Sequence, residues 1–180
     1  TQNELQQIAL LYKIGELYEE KLVQEDKAIV AYQEVLRIQA TNFPALKALI
    51  RIFTNKRDWE NLMEAQEKEA AALEDPNQKA LSLYRVAEIW EQHLGHPDTA
   101  VETLQRILQI VPNHGSAMRA LARLYTQAGN WRELLAIHER ELQAATLETQ
   151  KAETYARMAE IYLSQINDLV RASDCYERVL

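Results

Sequence analysis

The apolar residues of this chain recur every three or four positions, which is the period of a helix that buries one face. In the stretch LYRVAEIWEQHL, residues 83–94, the large apolar side chains of Leu83, Val86, Ile89 and Trp90 fall on one side of such a helix. Residues that begin or end helices separate these stretches. They cluster at EDPNQ (74–78), GHPD (95–98), PNHG (112–115) and AGN (128–130). The pattern predicts helices along the chain and no strands.

One helix sequence occurs three times. LYKIGELYEEKL (11–22), LYRVAEIWEQHL (83–94) and YARMAEIYLSQI (155–166) align without gaps at intervals of 72 residues. The alternate half also repeats, because ALKALIRIFTNKRDWENL (45–62) aligns with AMRALARLYTQAGNWREL (117–134). Each interval therefore holds two repeats, and each repeat is predicted to be a pair of helices. The predicted repeats are 8–41, 43–75, 80–113, 115–147 and 152–180.

The spacing of large and small residues resembles the tetratricopeptide pattern W-x2-L-G-x2-Y…A-x3-F…P. The first repeat matches the first half of this pattern with Leu11, Ile14, Gly15 and Tyr18. The corresponding residues of the later repeats are Leu46, Leu49 and Phe53; Leu83, Val86, Ala87 and Trp90; Met118, Leu121, Ala122 and Tyr125; and Tyr155, Met158, Ala159 and Tyr162. The resemblance implies an all-α fold, a right-handed superhelical solenoid of antiparallel helix pairs, in a single array over residues 1–180.

The small slot of the first helices, occupied by Gly15 in the first repeat, is expected to let the second helix of the same repeat approach closely. The second helices of the even repeats depart from the pattern, because Gln66 and His138 occupy its aromatic slot. These helices are expected to pack at a different angle or to be more exposed, and their two polar side chains to hydrogen bond within the packing. The three tryptophans hold slots for bulky apolar residues and are expected in the core. They are Trp59, Trp90 and Trp131.

The sequence also suggests where helices begin and where the chain breaks off. Asp98, Asn113 and Asn130 stand just before apolar runs and are predicted to cap helix N-termini. The last residues, Val179 and Leu180, align with residues inside the other repeats and are expected to end a helix without a cap. We therefore expect either a fragment of a longer array or an open end that stacks on another molecule, with apolar surface exposed at the C-terminal end.

Charge and composition limit the classes of partner. Among 180 residues, 27 are acidic and 20 are basic, which gives a formal net charge of −7. An acidic chain is a poor match for phosphate backbones, so nucleic acid is not expected as a partner. No apolar run is long enough to span a membrane, and no signal peptide is visible. The one cysteine, Cys175, excludes an internal disulfide framework and agrees with a reducing compartment, which favours the cytoplasm.

No group of residues predicts catalysis, a metal site or a cofactor. His93 and His96 stand three apart, but Pro97 places His96 in a turn, and a zinc site needs three or four converging ligands. Cys175 occupies a slot that holds small or medium residues in the other repeats, and no basic cluster accompanies it to lower the pKa of its thiol. Glycine-rich phosphate loops and the G-x-S-x-G and H-E-x-x-H motifs are absent. We therefore expect that the chain is not an enzyme.

The resemblance implies a scaffold for protein–protein interaction, because in the family the first helices line a concave groove that holds a peptide or a partner segment. The positions expected to face the groove lie on each first helix, mostly as two residues one turn apart. They are Tyr12, Glu16, Lys47, Arg51, Tyr84, Glu88, Arg119, Arg123 and Glu160. The clamp that some family members use for a terminal carboxylate is not expected, since among the residues at its positions only Arg85 suits a carboxylate.

Two uses of the groove charges stay open. Arg51 stands between Glu16 and Glu88, and Arg123 between Glu88 and Glu160, which predicts a ladder of ion pairs between successive repeats. Alternatively, the basic residues hold acidic side chains of a bound segment. A second function also stays open, in which the array is a structural spacer or an oligomerisation rod that contacts partners, or further copies, through its ends.

Overall fold

The chain folds into helices over residues 2–179, which are the part that the computed structural model describes. No strand occurs among these residues, so the predicted all-α fold is confirmed. α1 and α9 run on into wide π-helical turns, Leu17–Lys21 and Tyr162–Ile166. The helices are α1 (Gln2–Glu16), α2 (Glu25–Ile38), α3 (Phe43–Lys56), α4 (Trp59–Ala72), α5 (Pro76–Gln92), α6 (Pro97–Ile110), α7 (Gly115–Ala128), α8 (Trp131–Ala144), α9 (Glu148–Ile161) and α10 (Leu169–Glu177).

The helices belong to two compact units, one that ends at Ala100 and one that begins at Val101. In the first unit, each helix from α1 to α5 packs against the next, and in the second unit α7, α8, α9 and α10 do the same. Because short connections join helices that pack together, neighbouring helices run antiparallel. The single array and its five repeat boundaries stay predictions.

Each unit has a core of aliphatic and aromatic side chains from both kinds of helix. In the first unit, this core includes Tyr32, Leu49, Ile52, Phe53 and Leu62. In the second unit, the buried residues include Leu121, Leu124, Tyr125, Leu134 and Ile137. The close approach predicted at Gly15 is confirmed, since a Cβ atom there would lie 2.6 Å from Cε1 of Tyr32.

The tryptophans lie at the rim of the packing, and their prediction as core residues is wrong. Trp59, Trp90 and Trp131 are all half-buried. The ring of Trp59 stacks on His93 with centroids 3.7 Å apart, and the ring of Trp90 meets His96 edge-on at 5.6 Å. An indole covers a wide surface with one polar edge, which suits a boundary position better than a closed interior.

One of the two expectations for the second helices of the even repeats, α4 and α8, was greater exposure. This expectation is wrong at their polar slots. Gln66 and His138 are each only 4% exposed. Both make the hydrogen bonds within the packing that the sequence predicts. Gln66 accepts from Ser82, and His138 Nδ1 lies 2.8 Å from Glu141 Oε2. A buried polar group needs such a partner to offset the loss of water.

The predicted N-caps require correction. α7 is capped by His114 and not by Asn113, and His114 Nδ1 accepts from the backbone N–H of Ala117 at 3.2 Å. Asp98 lies inside the first turn of α6. Asn130 holds the N-cap position of α8 without a side-chain hydrogen bond. His114 aligns with Asn42, which caps α3 in the same way. The register of the repeats therefore identifies the cap better than residue type does.

The first helices end in two ways. In the odd repeats, the last turn widens, and the carbonyl of an aromatic residue accepts the backbone N–H six residues later at 2.8 Å; these residues are Tyr18, Trp90 and Tyr162. A left-handed residue follows at aligned positions: Val23 (φ 52°), Gly95 (φ 71°) and Asn167 (φ 60°). In the even repeats, the left-handed residue ends the helix directly, as Arg57 or Gly129. The surrounding packing therefore imposes this backbone conformation on residues as different as valine and glycine.

The predicted end of the last helix also changes. α10 ends at Glu177 and is followed by Arg178 at its C-cap, so the expected uncapped end at Val179 is wrong. Leu180 lies outside the described residues. The expected apolar surface is present near this end, where Val170 is 72% exposed and Tyr176 is 42% exposed.

Candidate functional site

The nine predicted groove residues all lie on the first helices α1, α3, α5, α7 and α9. The three closest to the packed faces, Tyr12, Glu16 and Tyr84, are half-buried. The remaining six are exposed charged residues: Lys47, Arg51, Glu88, Arg119, Arg123 and Glu160. The helices therefore present charge to solvent at the positions that the repeat pattern assigns to the groove.

Tyr12 and Arg51 come together at one polar cluster, which also contains two residues that the sequence did not point to. The Tyr12 ring lies 5.4 Å from the ring of the buried Tyr32. Tyr32 Oη donates to Glu19 Oε2 at 3.0 Å, and Arg51 Nη2 lies 2.7 Å from Glu19 Oε1. Burial and the hydrogen bond to Glu19 raise the pKa of Tyr32, and the same carboxylate raises the pKa of Arg51. Both groups keep their protons, so the cluster is a structural link between α2 and α3.

The predicted ladder does not form at Arg51. Arg51 pairs with Glu19 and not with Glu16, because Glu16 forms its ion pair with Lys13 at 3.0 Å in the same helix. Glu160 Oε2 lies 3.4 Å from Tyr176 Oη of α10. Arg119 donates to Ser116 at 3.2 Å. Several of the predicted groove residues therefore already have hydrogen-bond or ion-pair partners within the protein.

Lys47 instead lines an open cavity of about 380 Å³ between α3, α4 and α5. Arg85, four residues after Leu81 on α5, lines the same cavity. Leu81 is 50% exposed, and Phe43 and Leu73 are half-buried in the cavity wall. The cavity therefore combines two cations with an apolar surface. We call it the Lys47–Arg85 cavity.

A buried polar network forms the floor of the Lys47–Arg85 cavity. Ser82, which is 2% exposed, holds its Oγ 3.0 Å from Gln66 Oε1 and 3.0 Å from Glu69 Oε2. Glu69 itself is 8% exposed. Its carboxylate is directed to Ser82, and no ion pair joins it to Arg85 among the described residues.

The equivalent place between α8 and α9 is arranged differently. The 72-residue register aligns Gln66, Glu69, Ser82 and Arg85 with His138, Glu141, Thr154 and Arg157. His138 Nδ1 lies 2.8 Å from Glu141 Oε2, and Arg157 Nη2 lies 3.3 Å from the same oxygen. Arg157 also donates to Thr154 at 2.9 Å. The hydrogen bond from His138 is the main cause that lowers the pKa of Glu141. Here the arginine is neutralised within the protein.

Sequence reasoning missed Glu19 and the apolar wall of the Lys47–Arg85 cavity. The signal for the wall is a mismatch between aligned copies, because Phe43, Leu73 and Leu81 align with smaller or polar residues. These aligned residues are Gly115, Ala145 and Glu153. An apolar residue that only one copy keeps at an exposed position points to a local use.

A second cavity of about 510 Å³ lies between α2, α3 and α4. Its apolar wall includes Leu36, Leu49, Phe53 and Ala65. Ala65 aligns with Ile137 of α8, which is 5% exposed. The missing side-chain volume at Ala65 accounts for part of this space.

Other chemistry finds little support in the described part of the chain. Residues 2–179 contain no group of three or more side chains arranged to bind a metal ion. Cys175 is buried, and burial raises the pKa of its thiol, so it packs as a small apolar residue. In that same range, no helix has both the length and the apolar character needed to cross a membrane.

The sequence and the fold are similar to those of known repeat proteins. One model of the tetratricopeptide repeat matches residues 9–39 and 81–114, and a second model of this repeat matches residues 117–153. Together these matches cover more than half of the chain. A comparison with curated proteins gives no match.

Solved structures of two proteins share the fold. Two structures of MamA are 18% identical in sequence; one covers 97% of this chain and 90% of MamA with a TM-score of 0.53, and the other covers 92% of both with a TM-score of 0.52. YrrB, described as a TPR protein with an unusual peptide-binding site, is 15% identical over 94% of this chain and 82% of YrrB, with a TM-score of 0.51. From its repeat matches and its fold, the chain belongs to the tetratricopeptide repeat family and has a role in protein interaction.

Proposed function

We propose that the chain binds a segment of a partner protein along the exposed faces of its first helices and brings proteins together without catalysing a reaction. The observation that carries this proposal is the contrast between the two sides of these helices. The predicted groove positions hold exposed charged residues, while the opposite sides supply the core. Exposed charged residues on one face favour a partner segment of complementary charge.

The aromatic groove positions add contact area to this face. Tyr12 and Tyr84 are half-buried, so each side chain is partly held by the packing and partly exposed to solvent. Rigid aromatic side chains lose little conformational entropy on binding, which is why they are common in interfaces. The peptide-binding site named for YrrB supports this use of the fold.

The proposal is tested by selecting binders from a random peptide library on the immobilised chain. The selected peptides are then titrated against Arg119→Glu with Arg123→Glu, which reverses the charge of the groove positions on α7. We expect at least about a tenfold loss of affinity, the effect of one charge-assisted hydrogen bond. The melting temperature should stay close to that of the unsubstituted chain.

The matched control reverses the same number of charges outside the groove. Arg132→Glu with Arg140→Glu lies on α8, where both side chains are exposed. This control should keep peptide affinity. Equal losses in both variants would overturn the groove, and no loss in either would exclude its positions on α7. If no peptide is selected and the chain instead self-associates in sedimentation experiments, the spacer or oligomerisation rod becomes the better description.

A further inference from the structure

We infer that the Lys47–Arg85 cavity is the specificity pocket of this surface, and that it takes an acidic side chain adjacent to an aliphatic one within an internal stretch of a partner protein. The inference rests on the proposed function and narrows it to one place and one chemistry. The occupant follows from the cavity wall, where two cations stand beside an apolar surface.

The side chains that line the cavity carry a net positive charge. Lys47 and Arg85 are both exposed and both line the cavity, and neither forms an ion pair or side-chain hydrogen bond within the described part of the chain. Glu69 contributes one carboxylate at the floor, so the cations outnumber the anion among the lining side chains. This positive place occurs on a chain of net charge −7. A carboxylate is the complementary group, and an arginine guanidinium matches its geometry.

An apolar wall lies beside the two cations. Leu81 is 50% exposed on a first helix, although contact with water does not favour an apolar side chain. Together with Phe43 and Leu73, it forms a surface next to the two cations. The cavity of about 380 Å³ exceeds the volume of a single carboxylate and has room for an aliphatic side chain as well.

The aligned place between α8 and α9 lacks both features. There, His138 and Arg157 both approach Glu141, so the arginine is neutralised inside the protein. In the cavity, Gln66 replaces the histidine, Glu69 is directed to Ser82, and Arg85 stays available. The aligned apolar wall is also lost in the other copy, since Leu81 becomes Glu153. The unpaired arginine and the apolar wall therefore occur together between α4 and α5, and both are absent between α8 and α9.

The test uses three fluorescently labelled peptides with amidated C-termini, so that no terminal carboxylate is present. The first contains Leu-Glu pairs in an alanine-rich segment. The second replaces each Glu with Gln, and the third replaces each Leu with Ala. Fluorescence anisotropy should show the first peptide binding at least about tenfold more tightly than either of the others. This preference should weaken from about 0.1 M to about 1 M NaCl, because salt screens exposed charges.

Substitutions then locate the binding. Lys47→Gln with Arg85→Gln should remove the preference for the Leu-Glu peptide, and so should Leu81→Glu, which copies the other repeat. The matched control, Arg132→Gln with Arg140→Gln, removes two exposed cations of α8 that lie outside the groove positions and should keep the preference. All three cavity positions are exposed, so these variants should melt like the unsubstituted chain.

The outcomes separate this inference from the proposed function. If library peptides bind and their affinity does not change when Lys47, Arg85 and Leu81 are substituted, the groove proposal survives and the cavity assignment is overturned. Equal affinity for the Glu and Gln peptides, or binding that needs a free C-terminal carboxylate, also overturns it. If no peptide binds at all, both proposals fail.

Discussion

The packing of α4 against α5 and the packing of α8 against α9 differ in their buried polar residues, with consequences for the surface. The slot that holds glutamine in α4 holds histidine in α8. Histidine brings a ring nitrogen to the following glutamate, and the nearby arginine joins the same carboxylate. Where Gln66 stands, the glutamate Glu69 accepts a hydrogen bond from Ser82, and Arg85 is exposed to solvent. Two stretches with the same register thus differ in whether a positive charge is available for a partner.

This difference teaches that duplication of a repeat conserves helices more strictly than it conserves the contacts between them. Aligned positions can be exchanged between the copies one residue at a time, since the backbone around them is similar. Each exchange tests whether a single side chain causes the local difference, and the expected effects below run from large to small.

The largest effect is expected from giving α8 the smaller residue of α4. Ile137→Ala should lower the free energy of unfolding by about 3 kcal/mol, because it deletes buried methyl groups and leaves a cavity. Urea titration followed by circular dichroism measures the change. The reciprocal substitution, Ala65→Ile, should be neutral or stabilising because space of about 510 Å³ already lies beside it. A strongly destabilising Ala65→Ile would show that α4 lacks room for the larger side chain.

A smaller loss is expected where Gly15 meets Tyr32. Gly15→Ala places a Cβ 2.6 Å from the tyrosine ring and should cost about 2 kcal/mol of unfolding free energy by overpacking. The aligned residues of the third repeat are Ala87 and Leu104, so the double substitution Gly15→Ala with Tyr32→Leu restores a combination that the chain already uses. Double-mutant analysis should show favourable coupling between the two changes. Simple additivity would mean that the helices move apart without strain.

The pair of His138 and Glu141 should make stability depend on acid pH. Glu141→Gln is expected to cost about 1.5 kcal/mol near neutral pH, the value of a hydrogen bond to a charged group. The folded pKa of Glu141 is lowered, so its stabilisation is full above the unfolded pKa of about 4.3 and is lost as pH falls through the folded value. Unfolding titrations between about pH 6 and pH 3 should therefore show the gap between variant and parent narrowing. A gap that stays constant in acid would assign the loss to packing instead.

The smallest effect concerns the left-handed residue after the wide turns. Val23→Gly should raise the free energy of unfolding by about 1 kcal/mol, because a β-branched residue is strained at φ 52°. The exchange in the other direction, Gly95→Val, should lower it by a similar amount. No atom lies within 4 Å of a Cβ at Gly95, so a clash cannot explain a loss there. Equal melting temperatures for all three proteins would show that these turns relax easily.

The helical fold was predictable because it depends on a pattern repeated many times. Three aligned copies average out the ambiguity of any one helix, and the spacing at Leu83, Val86, Ile89 and Trp90 is that of a buried helix face. Residue type alone was less informative at helix ends. Aspartate and asparagine were favoured there, yet the register of Asn42 shows that His114 fills the same role.

The candidate site was predictable only as a set of positions. The repeat pattern placed Lys47 and Arg51 on one first helix. It did not distinguish an arginine that forms an ion pair within the protein from one that can bind a partner. That distinction depends on side chains of other helices, such as Glu19 for Arg51 and the floor residue Glu69 for Arg85. Contacts between residues distant in sequence have no local signature, so they became visible only in the structure.

The buried thiol of Cys175 is a natural probe of how fast the last helix opens. In the folded chain the sulfur is shielded by the packing of α10 on α9, and burial keeps it in the less reactive thiol form. A colourless reagent that becomes coloured on reaction with thiols would then report the rate at which α10 detaches, without any label having to be introduced. Because 180 residues contain this single cysteine, the signal would have only one source.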